Sequence, residues 1–453
     1  MNMTPTKLQA ALQNLPVDAK ESVVESLFVE QYLMEALGFE KGEVYPKYPT
    51  GDSKVADYAA RKNTPDNIFV CTQENPYLLV EVKNRQTNLS YNSPGYISAV
   101  EQLKKYLLDK RCRSCKWGII TNANHIQLFR KHGKTVYPAT KCLELTVENI
   151  DEIVSNIKQT IDSPKKALTI VVYNLRGGVG KTTTTANLAA VFAMFEKRVL
   201  VVDFDPSQQD LTKFLGLQLS NGDVIQNLVD RKADIRAVLK TYSYYNKKVK
   251  KDFSFDVLPA DKMLANDNAL NPKEANLNQQ LRIKDLKSKL DSLSSDYDYI
   301  VIDSSPNWNF FSQRALYSAD VILLPILPND YFSLPNTVKT ISEHIPKIQA
   351  LREDGCPIAL PIFQNGSKVT ESQNRQIEQE IDNLIYQAKS DIKFDLKPYF
   401  YPKNKDGKND KSIFSVSSHA VIANAIFSRT PAAFQNKLVC QQYLALAKEY
   451  FLQ

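Results

Sequence analysis

The sequence predicts an α/β protein in two parts: a smaller α/β domain with short strands, then a larger domain with a doubly wound parallel sheet. Three observations carry this prediction. From residue 168 onward, near-continuous apolar runs alternate with helical stretches, the pattern of strands buried on both faces. A glycine-rich loop joins the first of those runs to a helix. At 453 residues, with 43% hydrophobic and 24% charged, the chain is too long for one ordinary core and long enough for two.

In chain order, residues 22–37 carry apolar side chains at helical spacing and stop at Gly38, a suitable C-cap. Residues 55–60, 77–82, 117–121 and 125–129 read as strands, with a helix over 97–108 between the second and third. A polar connection over residues 155–167, containing Ser163-Pro164-Lys165-Lys166, reads as the boundary. The expected division is a domain over 1–156, a linker over 157–167 and a second domain over 168–453. In that second domain the apolar runs 168–173, 199–202, 299–302 and 321–326 are the expected buried strands. Residues 230–252, rich in Lys and Tyr, read as a surface insertion.

The net charge of +7 suits a partner carrying phosphates, although the excess is mild. Six cysteines are scattered, and only Cys112 and Cys115 lie close. A tetrahedral zinc site needs four ligands and no second pair follows, so free thiols in a reducing compartment are expected. No run of about 18 apolar residues occurs and the N-terminus lacks the apolar core of a secretory signal, so no membrane association is expected.

The first apolar run of the second domain leads into Asn174-Leu175-Arg176-Gly177-Gly178-Val179-Gly180-Lys181-Thr182-Thr183 and then a helical pattern. Strand, glycine loop and helix is the order a phosphate cradle requires. The glycines let successive N–H groups turn inward, and the helix adds its positive end. Lys181 reaches the β- and γ-phosphates, and the Thr182 hydroxyl can ligate Mg²⁺. Asp303 ends the run Tyr299-Ile-Val-Ile-Asp303, where an acid holds Mg²⁺ through water. Asp203 and Asp205 end Val199-Leu-Val-Val-Asp203-Phe-Asp205-Pro206, beside the loop, where a carboxylate can orient an attacking water.

This arrangement resembles the deviant Walker A family of ParA and MinD, which are P-loop ATPases. The family's KGG-x-GK-T/S loop, DxDP-type segment and YDYIIID-type strand are matched by residues 176–182, 203–206 and 297–303. Residues 256–260 and the closing helix Tyr443-Leu-Ala-Leu-Ala-Lys also resemble it, so the likeness covers nearly all of 168–453. It implies that Arg176, Gly177, Gly178, Val179, Gly180, Lys181, Thr182 and Thr183 hold ATP. It further implies that Thr182, Asp203 and Asp303 serve Mg²⁺, that Asp205 positions the water, and that ATP brings two copies together. The family's signature lysine, which reaches across the dimer, is here Arg176. Arginine keeps the charge and adds bidentate geometry, suiting a finger supplied in trans.

In the first domain Asp57 precedes Glu81-Val-Lys83. Side chains two apart on a strand share a face, so Glu81 and Lys83 point the same way, and Asp57 on a neighbouring strand can join them. Two carboxylates can hold Mg²⁺ or Mn²⁺, and a lysine beside them can activate water or steady developing phosphorane charge. The bland alternative is an exposed cross-strand ion pair. Gln102-Leu-Lys-Lys-Tyr106 on the next helix resembles the QxxxY element of PD-(D/E)XK nucleases. Residues 117–129, and an opening helix that ends in Leu37-Gly38-Phe39 and carries Glu25, resemble the N-terminal domain of type I restriction enzyme motor subunits. The likeness covers about 18–140. It implies a restriction-endonuclease-like domain ahead of the doubly wound P-loop NTPase domain, with Asp57, Glu81, Lys83 and Gln102 as its catalytic set.

The expected function is an ATP-controlled, metal-dependent DNA endonuclease suited to defence against foreign DNA. The alternative is a partition or positioning ATPase whose first domain only binds DNA or a partner, such as a protein encoded in the same operon. A cytoplasmic, nucleoid-associated location goes with either. A metabolic P-loop ATPase related to MinD is disfavoured because no paired CxxC lies near the C-terminus. Lys247, Lys248, Lys250 and Lys251, with Tyr242, Tyr244 and Tyr245, offer a DNA contact; a solvated loop is the plainer reading.

Overall fold

The computed structural model describes residues 5–51, 54–265, 280–328, 330, 332–366, 370–405 and 408–453, without side chains for 403–410. It divides into two compact units. One is Met1–Pro164 with Glu353–Gly355 and Phe451–Gln453; the other is Lys165–Arg352 with Cys356–Tyr450.

The first unit is built on a mixed sheet. Its strands are β1 (Val44–Gly51), β2 (Lys54–Ala60), β3 (Leu78–Val82), β4 (Trp117–Thr121), β5 (His125–His132), β6 (Thr135–Pro138) and β7 (Leu143–Glu144). The order is β1-β2-β3-β4-β5-β6, with β7 on β5. Among these described strands only β3 and β4 run parallel, joined by the helix Pro94–Leu107, which Ser93 caps. One face packs Phe28, Val29, Leu33, Val80 and Trp117 beneath the opening helices. The other packs Leu79, Ala99, Leu103 and Phe129 beneath Pro94–Leu107. Burial on both faces explains why β3 and β4 are apolar apart from Glu81 and Thr121.

Two expectations need correction here. The opening helix is α-helical over Glu21–Val24, widens to a π-helix over Glu25–Leu33 and closes over Met34–Ala36. The expected linker is largely helix, Ile150–Asp162, whose Ile150, Val154, Ile157 and Ile161 are buried on one face. Polar residues between those four obscured their helical spacing.

The second unit centres on a seven-stranded sheet. Its strands in chain order are β8 (Leu168–Val172), β9 (Val199–Phe204), β10 (Lys240–Asn246), β11 (Lys251–Leu258), β12 (Tyr299–Ser304) and β13 (Val321–Leu323). After β14 (Pro325–Ile326), β15 (Ile358–Ala359) completes the spatial order β10-β11-β9-β12-β8-β13-β15. All neighbours are parallel except β10 and β11. The strand expected over 321–326 is therefore two. Past Leu324 the chain enters a small parallel sheet of β14, β16 (Phe363–Gly366) and, after β17 (Lys403–Lys405) and β18 (Lys408–Asp410), β19 (Phe414–Ser417). The expected insertion is likewise ordered. It supplies β10 and the turn of the β10–β11 hairpin, where Tyr242 stacks on Phe255 and Tyr244 on Phe434 while Tyr245 is exposed.

No helix among the described residues is long and apolar enough to cross a membrane.

Candidate nucleotide and nuclease sites

β8 lies between β12 and β13 in the middle of its sheet, and the glycine loop leaves from its C-terminal end. This is where open parallel sheets bind ligands. Asn174 anchors the loop: its Nδ2 donates to Pro325 O at 2.9 Å and Thr337 Oγ1 at 3.0 Å, and its Oδ1 accepts from Arg176 N. Gly178 and Gly180 are left-handed, at φ 76° and 85°. A Cβ on Gly177 or Gly178 would meet nothing within 4 Å, so their backbones face open space. At Gly180 a Cβ would fall 2.1 Å from Asn365 Nδ2, which donates to Val179 O at 2.9 Å. Only glycine fits there.

The helix Lys181–Met194 follows at once. Lys181 Nζ curls back to Arg176 O at 3.1 Å, and Thr182 Oγ1 donates to Asp303 Oδ2 at 2.6 Å. Asp303 is 1% exposed and its Oδ1 has no hydrogen-bond partner. Burial, then the nearby Asp203 charge, pushes its carboxyl well above the usual range. Burial also lowers Lys181, against the pull of Asp303 and Asp205. An orphaned acid oxygen beside a hydroxyl and a lysine is a donor set that suits a magnesium-bound triphosphate. The cleft here measures about 390 Å³; Gly177, Lys181, Thr182 and Asp205 line its polar side, and Ile422 and Ile426 its apolar side.

Asp205 accepts from Ser207 N and Gln208 N at its Oδ1 and faces this cleft; burial raises its pKa. Asp203 behaves differently. Its Oδ2 takes both Thr212 N at 2.8 Å and Thr212 Oγ1 at 2.6 Å, and burial raises its pKa to about 6. Those bonds make it a brace between β9 and the short helix Asp210–Phe214 rather than an open ligand. The Arg176 side chain is engaged within the chain: its Nε donates to Asp330 Oδ2 at 2.6 Å and its guanidinium lies over Phe332. Gly177, Val179 and Thr183 sit in the loop and first helical turn as expected. The sequence reading missed Asn365, Thr212 and Asp330. Asn365 and Asp330 lie far along the chain, Thr212 lies on the short helix Asp210–Phe214 just past Asp205, and no local motif marks any of them.

In the first unit, β2 and β3 place Asp57 beside Glu81: Tyr58 pairs with Val80, and Asp57 Oδ2 accepts Val82 N at 2.8 Å. Glu81, 1% exposed, pairs through Oε1 with Lys83, while its Oε2 is buried without a partner. Burial, then Asp57, lifts Glu81 to about 7, against Lys83. Burial would lower Lys83, but bonding to Glu81 and the charges of Glu81, Glu21 and Asp57 outweigh it and raise it. Lys83 Nζ also donates to Gln102 Oε1 at 3.1 Å, and Gln102 Nε2 donates to Tyr106 OH at 2.7 Å. All four expected residues therefore meet. Carboxylate oxygens of Glu21, Glu25 and Asp57 lie within 4.8 Å of one another. The sequence reading missed Glu21, one helical turn before Glu25, and Lys47. Lys47 Nζ donates to Asp57 Oδ1 at 2.8 Å and Glu25 Oε1 at 2.9 Å. An unpartnered buried acid oxygen next to a second carboxylate is a donor set a divalent cation fits.

Comparison with known proteins finds one matching family within each unit. Residues 167–354 match the model of an AAA domain, and residues 20–141 that of the type I restriction enzyme R protein N terminus. The sporulation initiation inhibitor protein Soj of Bacillus subtilis is 34% identical over 184 residues, 39% of this chain and 66% of that protein. Plasmid partition protein A of Escherichia coli is 28% identical over 234 residues, 48% of this chain and 56% of that protein. The chain thus spans about three-fifths of the length of the curated relatives it matches. Among solved structures it is similar to a variant of Cyanothece McdA in complex with ATP, with TM-score 0.45 and 19% identity over 63% of this chain and 96% of that one. It is also similar to pNOB8 ParA bound to nonspecific DNA, with TM-score 0.41 and 21% identity over 62% and 99%. The chain carries a ParA/Soj-like AAA ATPase domain over residues 167–354, behind a type I restriction enzyme R protein N-terminal domain over residues 20–141.

Proposed function

We propose that the chain is an ATPase that controls an attached metal-dependent DNA endonuclease. The observation that carries this reading is the convergence of Asp57, Glu81, Lys83 and Gln102, with Glu81 Oε2 left unpartnered in a buried site. A domain that only bound DNA would have no use for two desolvated acids and a lysine held between Glu81 and an amide.

In the second unit, the N–H groups of residues 177–182 and Lys181 take the phosphates of ATP, and Thr182 and Asp303 hold Mg²⁺. Asp205 orients the attacking water. Ile422 and Ile426 supply an apolar wall for the base. Arg176, released from Asp330, reaches the nucleotide of a second copy and pairs two nuclease domains. In the first unit, Asp57 and Glu81 hold Mg²⁺ or Mn²⁺, which activates water and neutralises phosphate charge when bound. Lys83, fixed by Gln102, faces the phosphate under attack. Defence against foreign DNA is the setting this combination suits, in the cytoplasm or on the nucleoid.

The test is purified protein with supercoiled plasmid and Mg²⁺ or Mn²⁺, comparing ATP, ADP and no nucleotide. Nicking that depends on nucleotide and vanishes in Glu81→Ala and Lys83→Ala is expected. If no condition cuts DNA, the positioning reading takes over. The exposed lysines of the β10–β11 turn favour that second reading, because they suit DNA binding without cleavage.

A further inference from the structure

The residue that the nuclease motif does not account for is Lys47. It joins the opening helix to the strand acids, through Glu25 and Asp57. Its backbone is left-handed, at φ 48°, a conformation that side-chain-bearing residues rarely adopt. β1 and β2 pair at Pro46–Tyr58 and again at Tyr48–Ala56, and the pairing skips Lys47 opposite Asp57. The backbone thus leaves the extended conformation at the residue whose side chain bonds the acids, as irregularities beside active sites do.

The two lysines divide the acids between them. Lys83 takes Glu81 and Gln102; Lys47 takes Glu25 and Asp57. Asp57 Oδ2 is already committed to Val82 N, so Oδ1, the atom Lys47 holds, is the oxygen left for a metal. The Lys47 side chain is 56% exposed, so it has solvent to swing into, whereas Glu81 and Asp57 are fixed in the core.

We propose that Lys47 is a tethered counter-ion for the nuclease carboxylates, and that a divalent metal loads by displacing its ammonium from Asp57 Oδ1 and Glu25 Oε1. A single positive charge stabilises the crowded acids in the resting protein. The dication that replaces it must outcompete that charge, which sets a threshold of metal concentration for activity. This inference rests on the metal-dependent nuclease reading.

Calorimetric titration of Mn²⁺ into the nucleotide-free full chain tests it, with wild type, Lys47→Met, Lys47→Arg and Asp57→Asn. Lys47→Met should tighten Mn²⁺ by about tenfold or more, while Lys47→Arg binds no tighter than wild type. Equal or weaker binding by Lys47→Met overturns the inference. If Asp57→Asn leaves the wild-type isotherm unchanged, the metal site itself is wrong and the inference falls with it. Lysine acylation followed by mass spectrometry gives a second measurement on unmutated protein, in case Lys47→Met does not fold. Lys47 should react several-fold faster with Mn²⁺ than with EDTA; an unchanged or slower rate counts against displacement.

Discussion

Arg176 Nε donates to Asp330 Oδ2 at 2.6 Å, so the guanidinium of the loop's arginine is held within its own chain. The guanidinium is about half exposed, and such a pair contributes up to about 1 kcal/mol. Asp330→Ala frees the arginine and should lower the protein concentration needed for ATP-dependent dimerisation by up to about fivefold. Arg176→Ala should abolish it. Sedimentation velocity with and without ATP measures both; identical behaviour of all three proteins refutes the trans role.

Thr182 and Asp205 flank the same cleft but are expected to fail differently. Thr182→Ala removes the hydroxyl bonded to Asp303 and should weaken the magnesium-dependent part of ATP affinity by about tenfold. Asp205→Ala should keep affinity and lose turnover by about a hundredfold or more. Calorimetry with and without Mg²⁺, paired with phosphate release, separates them. Loss of affinity in Asp205→Ala would move that acid from the water to the nucleotide.

His344 provides a pH prediction apart from either site. Its ring stacks on Trp308 at 3.8 Å, and its Nδ1 is buried without a partner. Burial, then the charges of Lys339 and Lys347, lowers its pKa from the ordinary 6.5 to about 4, against Glu343. Between those values the unfolded chain binds the extra proton, so stability falls as pH drops from about 6.5 to about 4 and changes no further from this group below that. The loss is on the order of 3 kcal/mol. Denaturant titration followed by tryptophan fluorescence should show a shallower acid slope in His344→Phe; the same slope as wild type excludes His344 as its source.

Lys247, Lys248 and Lys250 are exposed in the β10–β11 turn, whereas Lys251 already pairs with Glu196. If the turn contacts DNA, replacing the first three by Gln should reduce the slope of log affinity against log salt by about two to three. Fluorescence anisotropy with a duplex at several salt concentrations measures it. A parallel, unshifted line would show a solvated loop.

Local motifs made both sites legible. Gly177 to Thr183 are contiguous, and Glu81 and Lys83 are two residues apart, so strand and loop geometry alone orders them. Asp303 and Asp57 were legible because each ends or occupies a strand with a recognisable pattern. Groups recruited from afar were not. Asn365 is fixed by a strand in a separate small sheet, and Lys47 by a left-handed position in β1, a strand whose Pro46 and Pro49 disguised it. The helix Ile150–Asp162 was hidden for another reason: its buried isoleucines and valine are separated by polar residues that resemble a connection.

The Asn365 bond to Val179 bears on how the protein can be cut into pieces. The AAA domain match ends at residue 354, yet the amide bonded to the Val179 carbonyl of the glycine loop lies eleven positions later. Asn187 of the loop's own helix likewise accepts from Ala433 N at 2.7 Å. An expression fragment trimmed to the matched stretch would keep every signature residue of the loop and lose these two struts. Residues 356–450 are therefore part of the nucleotide domain, and a trimmed fragment that failed to bind ATP would say nothing about the intact protein.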